Sequence, residues 1–150
     1  MLSDAASPPI VLGPRVTPAA VCHLLHAAGS FAADGFVDEG WPRSRLADVS
    51  GRAGLYLLVD GSRRVVRLGQ ANRIHGVRSR IEEHLARPYG VLVEHAWVVE
   101  VDELVDRQVL NAMEGRTADL LGVRGTMGRF RWPSGERWWD LVGSQHGARV

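Results

Sequence analysis

Two stretches of this sequence hold residue types whose spacing suits chemistry on a polyanion. Arg73, Arg80, His84 and Arg87 recur at steps that put them on one helical stripe at about 100° per residue. Further on, Arg129-Phe130-Arg131-Trp132-Pro133 and then Arg137-Trp138-Trp139 interleave cations with aromatic rings. Guanidinium groups are planar, always charged and shaped for phosphate oxygens. Aromatic faces stack bases. The chemistry suggested is recognition of phosphate and base. Each group also has a plainer reading: Arg80 can pair with Glu82 or Glu83, and Phe130, Trp132 and Trp138 can pack a terminal hairpin.

The charge distribution points the same way. All 18 basic residues are arginine, and the formal net charge is only +1. GC-rich coding explains the missing lysine as well as function does, but position says more. Residues 61–90 hold seven arginines against Glu82 and Glu83, a balance of +5, and residues 121–150 carry +3. The acidic excess lies in 1–60 and 91–120. A basic face for a polyanion is therefore allowed.

The 150 residues make one domain of ordinary size, large enough to bury roughly two-thirds of the extended surface. With 45% hydrophobic and 23% charged residues the composition is globular, not disordered. No apolar run approaches the ~20 residues of a membrane span, so no membrane partner is expected. The single cysteine, Cys22, excludes an intrachain disulfide, suits a reducing cytoplasm, and is expected to be buried and inert in its apolar run.

These residues need elements to position them. Residues 1–15, rich in proline, read as a flexible arm, and 16–53 as an N-terminal helix, from Thr17-Pro18 to Gly29, followed by an irregular stretch. Gly54–Val59 and Val65–Gly69 read as a hairpin covered on both faces. A helix is expected over about 74–87 with Ile74, Val77, Ile81 and Leu85 buried, a third strand over His95–Val101, and a helix over about 103–121 with Glu114 at the border of its apolar face. The expected fold is α+β, sandwich-like: a small antiparallel three-stranded sheet with flanking helices in β-β-α-β-α order, plus the N-terminal helix and a C-terminal hairpin.

Gly54-Leu55-Tyr56, Arg67-Leu68-Gly69, Arg80-Ile81-Glu82-Glu83-His84-Leu85 and Asn111-Ala112-Met113-Glu114 follow one another along these elements, and in that order they resemble the GIY-YIG nuclease superfamily. Gly54-Leu55-Tyr56 matches the first tripeptide, and Arg67-Leu68-Gly69 stands where the second belongs. Gly69-Gln70-Ala71 and Arg80-Ile81-Glu82-Glu83-His84-Leu85 resemble the loop and helix with the active-site arginine. Asn111-Ala112-Met113-Glu114 resembles the helix with the metal-binding glutamate. The resemblance spans 54–126, which it marks as a catalytic core, leaving 127–150 as an aromatic, arginine-rich extension. It implies Tyr56 as base or water-orienting group, Arg80 as phosphate clamp with His84 sharing the site, and Glu114 as the one protein ligand of Mg²⁺ or Mn²⁺. Such groups suit phosphodiester hydrolysis: water must lose a proton, and the transition state gains negative charge. A single carboxylate is acceptable to magnesium, which keeps several waters.

The departures from the family pattern are specific. Arg67 replaces the second tyrosine and cannot accept a proton. Gln70 stands where a basic residue is common, about three extra residues lie within Asn72–Gly76, and the asparagine expected near Thr126 is absent. Arg67 can instead contact phosphate, with His75 or His84 moving protons. The expectation is a metal-dependent endonuclease acting on DNA, or else RNA, through contacts at Arg67, Gln70, Arg73, Arg78, Arg129, Arg131 and Trp132. As a single domain it would cut a duplex as a homodimer or by sequential nicks. The alternative is a catalytically degenerate module of the same fold that binds DNA or regulates without cleavage.

Overall fold

The computed structural model describes residues 12–17, 20–32, 40–72, 74 and 76–123. In chain order they form α1 (Ala20–Ala28), β1 (Trp41–Pro42), β2 (Gly54–Val59), β3 (Val65–Ala71), α2 (Val77–Leu85), β4 (His95–Glu100) and α3 (Arg107–Leu121). Short 3-10 turns at Arg43–Asp48 and Pro88–Leu92 flank the sheet strands. The arm over most of 1–15 and the C-terminal hairpin lie outside the described residues.

Every side chain of β2 is buried, as continuous hydrophobicity requires of a central strand. Leu55 and Leu57 meet Leu68, Trp97 and Val99 and the apolar sides of α1 and α3, among them Leu24, Ala27, Leu110 and Met113. Tyr56 and Leu58 turn the other way, onto Val77 and Ile81 of α2 and Leu46, Val49 and Val93 around the 3-10 turns. The sheet thus separates two cores. The connection after β2 is set by Asp60, whose Oδ1 accepts from the amides of Ser62 and Arg64 at 2.9 and 2.8 Å, a side-chain-capped turn.

The sheet corrects the expected architecture. It has four strands, not three, all antiparallel, in the order β1-β4-β2-β3. The added strand pairs Trp41 with Ala96 and Pro42 with His95. It falls in the stretch read as irregular, because two residues are too few to show a period of two. Proline is tolerated there because an edge strand needs fewer amide donors.

Two further expectations change. Ile74 is 78% exposed, not part of the buried stripe. Helix α2 starts only at Val77, behind Gly76 with φ +77°, and Asn72 instead builds a loop, its Oδ1 accepting from the Ile74 amide and its carbonyl from that of Gly76. Cys22 is exposed. Burial of Leu24, Ala27 and Ala28 turns position 22 to the far side of α1.

Candidate functional site

The site is assembled around the edge strand β3. In the β2–β3 register Tyr56 faces Gly69, and Leu58 faces Arg67; directly opposed residues share a sheet face. Tyr56 and Arg67 therefore lie on the α2 side. Gln70 pairs with Leu55 and so lies on the α3 side.

Gly69 makes this arrangement possible. A Cβ there would stand 2.2 Å from the Tyr56 hydroxyl and 2.3 Å from its ring carbon Cζ. The phenol lies directly over bare backbone. The next residue, Gln70, sends its side chain to the opposite face, where Nε2 donates to Glu114 Oε2 at 2.7 Å and to Asn111 Oδ1. Adjacent residues of one edge strand thus connect a phenol on one face with a carboxylate on the other.

On the α2 side Tyr56 is almost wholly buried, and its hydroxyl lies 2.7 Å from His84 Nε2. His84 Nδ1 in turn hydrogen-bonds the Tyr89 hydroxyl. Burial pushes the Tyr56 phenol up to about 12 from its ordinary 10.0, Arg80 and Arg67 pull against that shift, and Glu114 and Tyr89 add to it. At neutral pH that hydroxyl keeps its proton.

Arg80 Nη1 donates to Glu83 at 2.9 Å across the surface of α2, a half-exposed pair worth only a few tenths of a kcal/mol. It remains available to an anion at small cost. Arg78 is exposed and reaches Glu82 at 3.8 Å and the Ala47 carbonyl at 3.3 Å. It also borders a cleft of about 490 Å³ at the start of α2, lined in addition by Ser50, Gly51, Ser79 and Glu82. Arg73, His75, Arg129, Arg131 and Trp132 lie outside the described residues.

Glu114 is fully buried, not at a helix border. In this arrangement the Gln70 amide nitrogen faces both the Glu114 carboxyl and the Asn111 side-chain oxygen. A cation at Oε2 would meet that N–H donor. Among the described residues no group of three or more His, Cys, Asp or Glu side chains is placed to hold a metal. In this partnership Oε2 of the carboxyl is engaged by the Gln70 amide.

Two residues join the site without a signal strong enough to single them out. Tyr89 sits between Pro88 and Gly90, just past the end of α2, where proline and glycine read only as a helix stop. Asn111 is one helical turn before Glu114 and shares the Gln70 amide. No protein-family model, curated protein or solved structure matches the chain. Among the described residues no helix is long and apolar enough to cross a membrane.

Proposed function

We propose that this protein is a DNA-binding or DNA-regulating module of the cytoplasm, a divergent relative of GIY-YIG nucleases that binds phosphate without cutting it. The observation that carries this reading is the Gln70–Glu114 hydrogen bond of 2.7 Å. An amide donor stands at the carboxylate oxygen that a metal-dependent enzyme would need open, in the strand position where a cation is common in that family. The cationic side is retained. Arg67 lies on the sheet face against which α2, the helix bearing Arg80, is packed, and the 61–90 segment carries the largest positive balance in the chain.

A second reading, metal-dependent cleavage, draws support from one observation, the bond between the Tyr56 phenol and the His84 imidazole. That pair is what proton removal from water would use. One experiment separates the two. Binding of a labelled duplex, and of the RNA of the same sequence, is followed by fluorescence anisotropy over about 50–200 mM salt. Supercoiled plasmid is incubated in parallel with Mg²⁺ or Mn²⁺. The module reading expects salt-sensitive binding, weakened by Arg67→Ala with a slope smaller by about 1, and intact plasmid. Nicking that disappears in Glu114→Ala, with folding checked by circular dichroism, establishes the enzyme instead. A wild-type protein that leaves both nucleic acids unbound defeats both readings.

A further inference from the structure

The edge of the sheet carries two arginines set directly against each other. Arg15, in the segment before α1, pairs with Arg64 in an isolated antiparallel bridge at the start of β3. The Val16 amide donates to the Arg63 carbonyl at 2.7 Å, and the Val65 amide to the Pro14 carbonyl at 3.1 Å. Those bonds flank the pair without joining it, and opposed side chains come closest in a pair of that kind. Like charges placed so work against the pairing, so it is the main chain that holds them there. Both side chains are exposed, and among the described residues neither makes an ion pair. Arg64 uses only Nε, on the Gly13 carbonyl at 3.3 Å, which leaves both of its Nη groups for another acceptor. Asp60, in the adjoining turn, has its Oδ1 on the amides of Ser62 and Arg64.

A β-bulge brings Arg67 to the same face. Arg67 pairs with Leu58 and Val65 with Val59, so Val66 is one residue more than β2 matches. In a regular strand, residues three apart point to opposite faces, which would separate Arg64 from Arg67. The extra residue returns them to one side. Val65 packs into the core beneath α1 and α3, so Arg64 before it faces the α2 side, where Leu58 and therefore Arg67 also lie. Val16 enters the same core as Val65, which turns Arg15 the way of Arg64. Arg63 does not join this row; it lines a small cleft with Asp60 and Glu94, a side already supplied with carboxylates. Among the described residues Arg67 has no ion pair either. From Arg64 to Arg67 the row runs up to about 10 Å along the strand. One phosphate does not span that length, whereas the phosphates of one nucleic-acid strand, about 3.4 Å apart along the helix axis, do.

We propose that Arg15 and Arg64 clamp a phosphate of a nucleic-acid backbone at the hairpin end of β3, while Arg67 holds a second phosphate of the same strand. The backbone brings the counter-charge that the protein does not provide, and the bulge at Val66 sets the arginines in line with it. This rests on the binding reading above and extends the contact surface to the segment before α1.

The test uses the full chain and the labelled duplex, with anisotropy followed over about 50–200 mM salt. Arg15→Gln is the central variant, because the Arg15 guanidinium has no hydrogen bond within the described residues to lose. Affinity is expected to fall about three- to tenfold, with a salt slope smaller by about 1. The urea midpoint of the free protein should stay level or rise, since a repulsion is removed. Arg52→Gln removes the same charge beyond the far end of β2, from a pair with Glu103, and should change affinity by less than about twofold. Equal losses in Arg15→Gln and Arg52→Gln reduce the effect to net charge and overturn the proposal. A midpoint lowered in Arg15→Gln overturns it as well, because the pair then serves the fold. Unchanged affinity in Arg15→Gln overturns the clamp, and leaves the binding reading intact where Arg67→Ala still weakens binding. A wild type that binds no duplex removes the reading and the proposal together.

Discussion

The Gln70 amide on β3 and the Glu114 carboxyl on α3 are joined across 2.7 Å inside the protein, 44 residues apart in sequence. Glu114 has no exposed surface, so hydrogen bonds from the protein must replace the water it lost. Gln70→Ala removes one of those donors. It is expected to lower the unfolding free energy by about 1–3 kcal/mol, read as a fall in the urea midpoint at constant slope. Gln70→Glu should cost at least as much, because it sets two carboxyl groups against each other. A midpoint unchanged in Gln70→Ala would show that other neighbours satisfy the carboxyl.

The contact between Gly69 and Tyr56 is equally demanding. A methyl group at 69 has no place unless the buried phenol moves, and moving it breaks the bond to His84. Gly69→Ala should destabilise by about 1–3 kcal/mol through overpacking. The penalty should shrink when Tyr56 is first replaced by Leu, which removes the atoms in the way. Equal penalties in both backgrounds would place the cost elsewhere than this contact.

The Tyr56 phenol makes stability depend on alkaline pH with a definite sign. Its value in the folded protein, about 12, lies above the ordinary 10.0. Below pH 10 both folded and unfolded chains keep the proton, and stability is full. Between about 10 and 12 the unfolded chain releases it first, so stability falls as pH rises, by up to about 3 kcal/mol. Urea denaturation at pH 9 and near pH 11.5 should show that loss in the wild type and a smaller one in Tyr56→Phe. Parallel losses in both proteins would remove Tyr56 as the cause.

Two isoleucines, seven residues apart, should behave in opposite ways. Ile81 is buried between α2 and the sheet, whereas Ile74 is 78% exposed. Ile81→Ala should cost about 2–5 kcal/mol, and Ile74→Ser should stay within about 0.5 kcal/mol. A large loss in Ile74→Ser would mean that α2 begins a turn earlier than Val77.

Much of this protein follows from the sequence alone, because local patterns are enough for it. Apolar runs and the Asp60-Gly61-Ser62 turn locate β2 and β3, and steps of three and four locate the bodies of α2 and α3. The placement of Arg80 and His84 one turn apart on α2 is likewise a matter of helical period. Only the tertiary structure decided the rest. The two-residue strand at Trp41–Pro42 exists through pairing with β4, and nothing in its own composition demands it. Helix α2 loses its first turn to Gly76, a backbone choice that side-chain periodicity does not register. Glu114, expected at the border of the apolar face of α3, is fully buried and meets Gln70 from another element. Tyr89 joins His84 because Gly90 and Arg43 fold the chain back beneath α2. Periodicity reports how one segment meets its surroundings. Which polar groups complete one another is settled between segments, where sequence distance carries no information.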